Sequence, residues 1–485
     1  MIQRSNYKWW AFAAIATGTL ASVIDHGSVN LALPSIARHF GTDIPTVQWV
    51  AIGYTLTISS LLLPMGRLAD LIGLRKVYLL GSLIFLLGAL LAGSSPDLLV
   101  LILSRILQGS GAAMTQGTGL AIVTSAFPKS ERGKAIGSIM TIVGTGGIAG
   151  PALGGFLVDA MGWRWVFLAP IPLVVLGVAA VFAILDGHRI TSDGADNHRS
   201  GFDWLGAALS TGILAVFLLT VSNGHGSGWT SPPILGALFA LPLLLITFVW
   251  WELRCPSPML DLSLFESRTF SFGVSANFLN FFGSSALLFL APFYLQRVLG
   301  YSAESSGLVV VPGAICLAFL SPLAGRLSDR YSWRPFTVGG LALSATGLFL
   351  LSRLDEGSSL PLVVLAMMFQ GAGMGIFYTP NSSSILSVME QESYGVVSSF
   401  LNLARNAGNV ASIAVATAIV TATMGSLGFE PSLEMVQEGG SAGVSHAFIR
   451  GLQNSYLTMM SLLLLGMVIS IFKFKEVARL NGARL

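Results

Sequence analysis

Fourteen separate stretches of this chain are apolar runs long enough to cross a bilayer, and no other feature limits its fold so strongly. A spanning helix needs about 20 such residues. The runs fall at 9–33, 47–65, 77–94, 98–127, 134–158, 163–186, 202–221, 233–251, 269–296, 305–325, 335–352, 360–388, 395–422 and 450–472. Each is continuous, without the polar alternation of barrel strands, so the spans are read as helices. Only 10% of the residues are charged and 53% are hydrophobic, against about 25% charged in soluble domains. Such a chain takes lipid as its solvent. The first run is too long for a signal-peptide core and is read as the first span.

Basic residues then set the sides. With an even number of spans both termini share a face. On that face lie about 19 of the 26 Lys and Arg residues, among them Arg67, Arg75, Lys76, Arg189, Arg199, Lys473, Lys475, Arg479 and Arg484. The opposite loops hold about 5, from Arg38 to Arg450, and Arg105 and Arg405 fall inside spans. The expectation is a multi-pass protein of the cell (inner, cytoplasmic) membrane with both termini cytoplasmic. The net charge of +3 points to no nucleic-acid partner. Cys255 and Cys316 match no metal or redox spacing, so no metal site is expected.

Gly66-Arg67-Leu68-Ala69-Asp70 recurs as Gly325-Arg326-Leu327-Ser328-Asp329, 259 residues on. Gln108-Gly109-Ser110-Gly111 recurs as Gln370-Gly371-Ala372-Gly373, 262 residues on. Eight spans separate the copies, so they share an orientation. The repeat predicts an N-terminal six-helix bundle over 1–190, two inserted helices and linkers over 191–268, and a C-terminal six-helix bundle over 269–485. In transporters, parallel halves hold the ligand between them near the midplane.

An ionisable side chain within a span costs at least ~2.5 kcal/mol to insert, so function is its first reading. Asp25 and Arg105 each lie seven or eight residues from the outer end of their spans, about 10–12 Å deep at 1.5 Å per residue. They are expected to face one cavity and to interact. Burial favours a neutral carboxyl and a nearby guanidinium favours an ionised one, so a cavity that opens and closes can load and unload a proton. The plainer alternative is a static ion pair, which is a costly glue in lipid. His26, about 100° around the helix from Asp25, either assists proton transfer or bonds a neighbouring helix. Arg405 shares a stripe with Asn402, Asn406 and Asn409. That stripe lines the substrate path or ties helices together.

The segment Gly66 to Lys76 is read as a loop. Gly66 and Gly73 would permit tight turns, and Asp70 would accept from Arg67 or Arg75 or cap a neighbouring helix. With Arg75 and Lys76, these residues are expected to form a latch between the halves. The run Gly144 to Gly155 places Gly146, Gly150 and Gly154 four apart, a smooth face for close packing, and Pro151 invites a kink.

These motifs together resemble the major facilitator superfamily, and within it the fourteen-spanner drug:proton antiporters, over nearly the whole chain. The loop at 66–76 is similar to the signature GxLaDrxGrkxxl, with Leu71 in place of a basic residue. Leu103 to Ala113 resembles lxxxRxxqGxgaa, whose arginine, here Arg105, the resemblance implicates in proton coupling. Gly144, Gly150, Pro151, Gly154 and Gly155 fit the antiporter helix motif gxxxGPxxGG. The first span fits DxTxVNxALP at Asp25, Val29, Asn30, Ala32, Leu33 and Pro34, with Gly27 where threonine is usual.

The resemblance implies an all-α polytopic fold and a proton-coupled antiporter exporting small lipophilic or cationic compounds by alternating access. Export of lipid or lipid-linked cargo on the same fold is the alternative, with the segment 423–449 and its Glu430, Glu434 and Glu438 as a lipid path or a solvated loop. Candidate cavity residues are His26, Asn30, Trp49, Tyr54, Gln108, Met114, Asn277, Asn280, Phe281, Gln370, Tyr378, Asn402 and Arg405. No enzyme is expected. Gly133-Lys134 precedes Ala135 and makes no phosphate loop. The drive is the proton gradient without a cofactor, the partners are small molecule, proton and bilayer, and the chain is expected to act as a monomer.

Overall fold

The computed structural model describes residues 4–42, 44–185, 201–227, 231–390, 393–429 and 442–472. Arg189, Arg199, Glu430, Glu434, Glu438 and the C-terminal basic residues from Lys473 lie outside them. Among the described residues all regular structure is helical. The long helices are α1 (Arg4–Phe40), α2 (Trp49–Ile72), α3 (Leu74–Gly93), α4 (Leu98–Ala126), α5 (Arg132–Met161), α6 (Ile171–Ile184) and α7 (Trp204–Ser227). There follow α8 (Pro232–Glu252), α9 (Arg268–Phe293), α10 (Ala303–Arg330), α11 (Arg334–Leu351), α12 (Leu360–Ser387), α13 (Tyr394–Ser426) and α14 (Ala442–Phe472).

Thirteen helices among the described residues are long and apolar enough to cross a membrane. The remaining predicted span lies in α1, whose 37 residues are long enough but carry Asp25 and His26 mid-helix. The span read at 163–186 begins with a single turn, Trp165–Leu168, before α6. Pro170 ends that turn because it has no backbone N–H to donate.

Gly66 to Lys76 is not a loop: α2 runs to Ile72 and α3 starts at Leu74. The whole reversal rests on Gly73, at φ +102°, where a side chain would be strained. Gly66 lies inside α2, where its lack of a side chain serves close packing and not a turn.

The chain divides into two compact units. The first holds residues 1–218, 236–263 and 386–403. Its apolar floor is built from Val29, Ala32, Ile36, Val47, Val50, Leu101, Val166 and Phe167 of α1, α2, α4 and their connections. The second holds 219–235, 264–385 and 404–485. There α14 packs on α9 and α11, with Gly283 set against Leu463 and Met459. The boundary falls within α13, whose first turns belong with the first unit.

Candidate functional site in the first unit

Asp25 of α1 is fully buried and is held by two side chains of α4. Arg105 Nη1 donates to Asp25 Oδ2 at 2.9 Å, and Gln108 Nε2 donates to Oδ1 at 3.0 Å. Arg105 Nη1 also donates to Gln108 Oε1 at 2.5 Å, so carboxylate, guanidinium and carboxamide close a ring. Arg105 Nε donates to the Val50 carbonyl at 3.3 Å. The guanidinium lies over the Tyr54 ring, 3.9 Å from its centroid, with Phe167 at 5.5 Å. The Tyr54 hydroxyl shares a 3.3 Å hydrogen bond with Ser22. The two charges are 0% and 1% exposed, so a hydrogen-bonded counter-charge is what makes this burial tolerable.

Sequence spacing explains the assembly. Arg105 and Gln108 are three residues apart and present one face of α4. Gln108, expected among the cavity residues, is a hydrogen-bond partner of the carboxylate and is fully buried. Tyr54 and Met114 are likewise buried, Met114 against Gly81. His26, Asn30 and Trp49 stand on exposed surface. The His26 ring lies 6.0 Å from that of Tyr54.

The glycine face of α5 packs on the segment of α1 that carries Asp25. A Cβ on Gly154 would stand 2.7 Å from Ser28 Cα, one on Gly150 3.1 Å from the Ile24 carbonyl, and one on Gly146 2.9 Å from Val23. Ser28 Oγ donates to the Gly150 carbonyl at 2.7 Å. Gly27 belongs to the same contact: a Cβ there would meet Pro151 Cδ at 3.0 Å. The glycine that departs from the usual threonine thus makes room for the proline of the facing helix. Gly144 is buried, and a Cβ on Gly155 would make ordinary contact with Leu31.

The predicted latch caps a helix. Asp70 accepts from the backbone amides of Gly395 and Val396, each at 2.8 Å, in the first turn of α13. A carboxylate there satisfies unpaired donors and meets the positive end of the helix dipole. Gly66 allows this approach, since a Cβ on it would overlap Ser399. Arg132 lies 5.1 Å from the centroid of the Tyr394 ring at the same helix start. Arg75 is engaged elsewhere, donating to the Phe182 carbonyl at 2.9 Å, and Lys76 is exposed. Asn402 donates to the Gln116 and Ser398 carbonyls at 3.0 and 3.1 Å.

In the second unit, Asn277, Asn280, Phe281, Gln370 and Tyr378 are all buried. The Phe281 and Tyr378 rings meet edge to face at 5.6 Å. Asn280 and Gln370 keep both amide atoms without hydrogen-bond partners. Arg405 is half-buried on α13, and Asn409 accepts from Ser285.

A polytopic helical membrane fold with a buried carboxylate–guanidinium pair among its spans carries the mark of a functional site within the bilayer. The chain belongs to the Major Facilitator Superfamily, whose family model matches residues 15–413 and 273–479. It is 31% identical over 469 residues to the riboflavin transporter RibZ of Clostridioides difficile (strain 630), covering 97% of this chain and 98% of that protein. It is 32% identical over 422 residues to the multidrug resistance protein Stp of Mycobacterium tuberculosis (strain CDC 1551 / Oshkosh), covering 87% and 77%. Among solved structures, the proton:xylose symporter XylE aligns with TM-score 0.67 at 14% identity, over 97% of this chain and 96% of that one. The human organic anion transporter MFSD10 aligns with TM-score 0.61 at 15% identity, over 96% and 100%. At such identities these structures speak to the fold alone. The named relatives are transporters, not enzymes, so this chain is a multi-pass membrane transporter of small molecules.

Proposed function

We propose that the chain is a proton-driven antiporter of the cell membrane that exports small lipophilic or cationic compounds by alternating access, with Asp25 as the proton carrier. The observation that carries this reading is the closed ring of Asp25, Arg105 and Gln108. A static glue needs only the ion pair. The third member, Gln108, holds the Asp25 carboxyl through a hydrogen bond and can reorient its carboxamide to accept from a protonated Asp25. Protonation therefore frees the guanidinium without leaving the carboxyl unpaired. Exposed His26 follows Asp25 directly, Asn30 lies five residues on, and exposed Trp49 precedes the Val50 whose carbonyl holds Arg105; these provide the surface on which cargo can sense that change. The orientation with both termini cytoplasmic and the monomeric state belong to the same proposal.

The multidrug resistance relative supports drug-like cargo. A second reading, transport of a flavin, is favoured by the riboflavin transporter, which the chain matches over nearly its full length. Proteoliposomes carrying an imposed pH gradient test both. Gradient-dependent movement of cationic dyes supports the first reading and gradient-dependent movement of riboflavin the second. Gradient-driven transport that survives Asp25→Asn would overturn the proton-carrier role.

A further inference from the structure

The two inserted helices bring acids together at adjoining ends. Asp203 precedes α7 and Glu252 is the last residue of α8, and they are 6% and 4% exposed. Asp203 Oδ1 accepts from the Gly206 amide at 2.8 Å, and Trp251 Nε1 donates to both Asp203 oxygens at 2.9 and 3.1 Å. Glu252 Oε2 accepts from the Leu260 amide at 3.2 Å. The other oxygen, Glu252 Oε1, is buried without a hydrogen-bond partner. It lies near Asp203, because a Cβ built on Gly206 would stand 2.2 Å from Asp203 Oδ2 and 2.7 Å from Glu252 Oε1. The two oxygens are separated by no more than those lengths laid end to end. They can approach because residue 206 has no side chain.

Two ionised carboxylates so close and so buried repel each other. Glu252 also sits at the C-terminal end of α8, where the helix dipole disfavours negative charge. A proton on Glu252 Oε1 removes both penalties and supplies a hydrogen to donate to Asp203 Oδ2. We propose that Asp203 and Glu252 form a second proton-binding site, holding one proton between them and separate from Asp25. The titratable and charged groups that face it among the described residues are Cys255, beside Asp203, and Arg67 of α2, near enough to act on Glu252. Thr211 of α7 donates to the Ser60 carbonyl of α2 at 3.2 Å, which lays α7 against the helix that carries Arg67. Arg67 Nε is itself buried without a partner. When the proton leaves, Arg67, three residues from the Asp70 that caps α13, is the positive charge that offsets the freed carboxylate.

The test is infrared spectroscopy of the purified full-length chain at neutral pH, where exposed carboxylates are ionised. An Asp25→Asn background removes the transport proton site, so the result is independent of the reading above. A protonated-carboxyl band is expected in Asp25→Asn and lost in Asp25→Asn/Glu252→Gln. Should the second variant fail to fold, Asp203→Asn in the same background is expected to shift the band by changing its hydrogen-bond acceptor. Absence of the band in Asp25→Asn, its survival in the Glu252→Gln variant, or its indifference to Asp203→Asn overturns the proposal.

Discussion

Asp25→Asn replaces a carboxylate by a carboxamide of nearly the same shape and so isolates the role of charge. Arg105 would then remain 1% exposed with no counter-charge, and breaking a buried pair in this way costs about 3–5 kcal/mol. Gln108 cannot offset this, because a neutral carboxamide supplies an acceptor but no charge. Arg105→Gln strands the carboxylate instead, at a similar cost, with the Gln108 carboxamide left to donate to it. The double variant leaves three amides that can satisfy one another and no buried charge. Its destabilisation is therefore expected to fall about 2–3 kcal/mol short of the summed single variants. SDS-driven unfolding of the full chain in mixed micelles measures all four corners of this cycle. Additive costs, within about 0.5 kcal/mol, would refute the claim that these two charges are energetically one unit. All three variants are also expected to lose gradient-driven transport, since none retains both the exchangeable proton and the guanidinium that responds to it.

Three further outcomes follow from the geometry. Tyr54→Leu removes the ring over Arg105 and is expected to cost about 2 kcal/mol, whereas Tyr54→Phe keeps the ring and loses only the Ser22 hydrogen bond, about 1 kcal/mol; unfolding midpoints separate the two. Gly154→Leu forces a side chain against Ser28 Cα and is expected to cost about 1–3 kcal/mol or more and to reduce transport, read as a lower initial efflux rate. Asp70→Ala uncaps α13 at a cost of about 0.5–2 kcal/mol, and hydrogen exchange at Gly395 and Val396 is expected to accelerate while exchange at mid-helix positions of α4 holds.

Much of this was legible in the residues, because lipid makes charge conspicuous. Asp25 and Arg105 stood out as ionisable groups at matching depth, and the structure pairs them at 2.9 Å. The spacing of Gly146, Gly150 and Gly154 announced a close helix contact, although only three dimensions show that the partner is α1. The bond from Gln108 to Asp25 was not foreseen, because an uncharged amide in a span looks the same whether it faces a cleft or a carboxylate. Its position one turn after Arg105 was the available signal. The Asp203–Glu252 pair was passed over because it lies 49 residues apart at the edges of apolar runs. An acid at the C-terminal end of α8, where the dipole opposes it, was the clue. The assignment of the start of α13 to the first unit had no sequence signature, since a helix that continues unbroken does not mark where its neighbours change.

The seam between α1 and α5 carries a mechanical consequence. With backbone against backbone at Gly27, Gly150 and Gly154, and Ser28 hydrogen-bonded across, no compressible side chains separate the two helices there. A displacement imposed on one is handed to the other almost without slack. Asp25 therefore rides on a stiff two-helix beam, and whatever moves the carboxyl must tilt that whole beam instead of bending α1 alone.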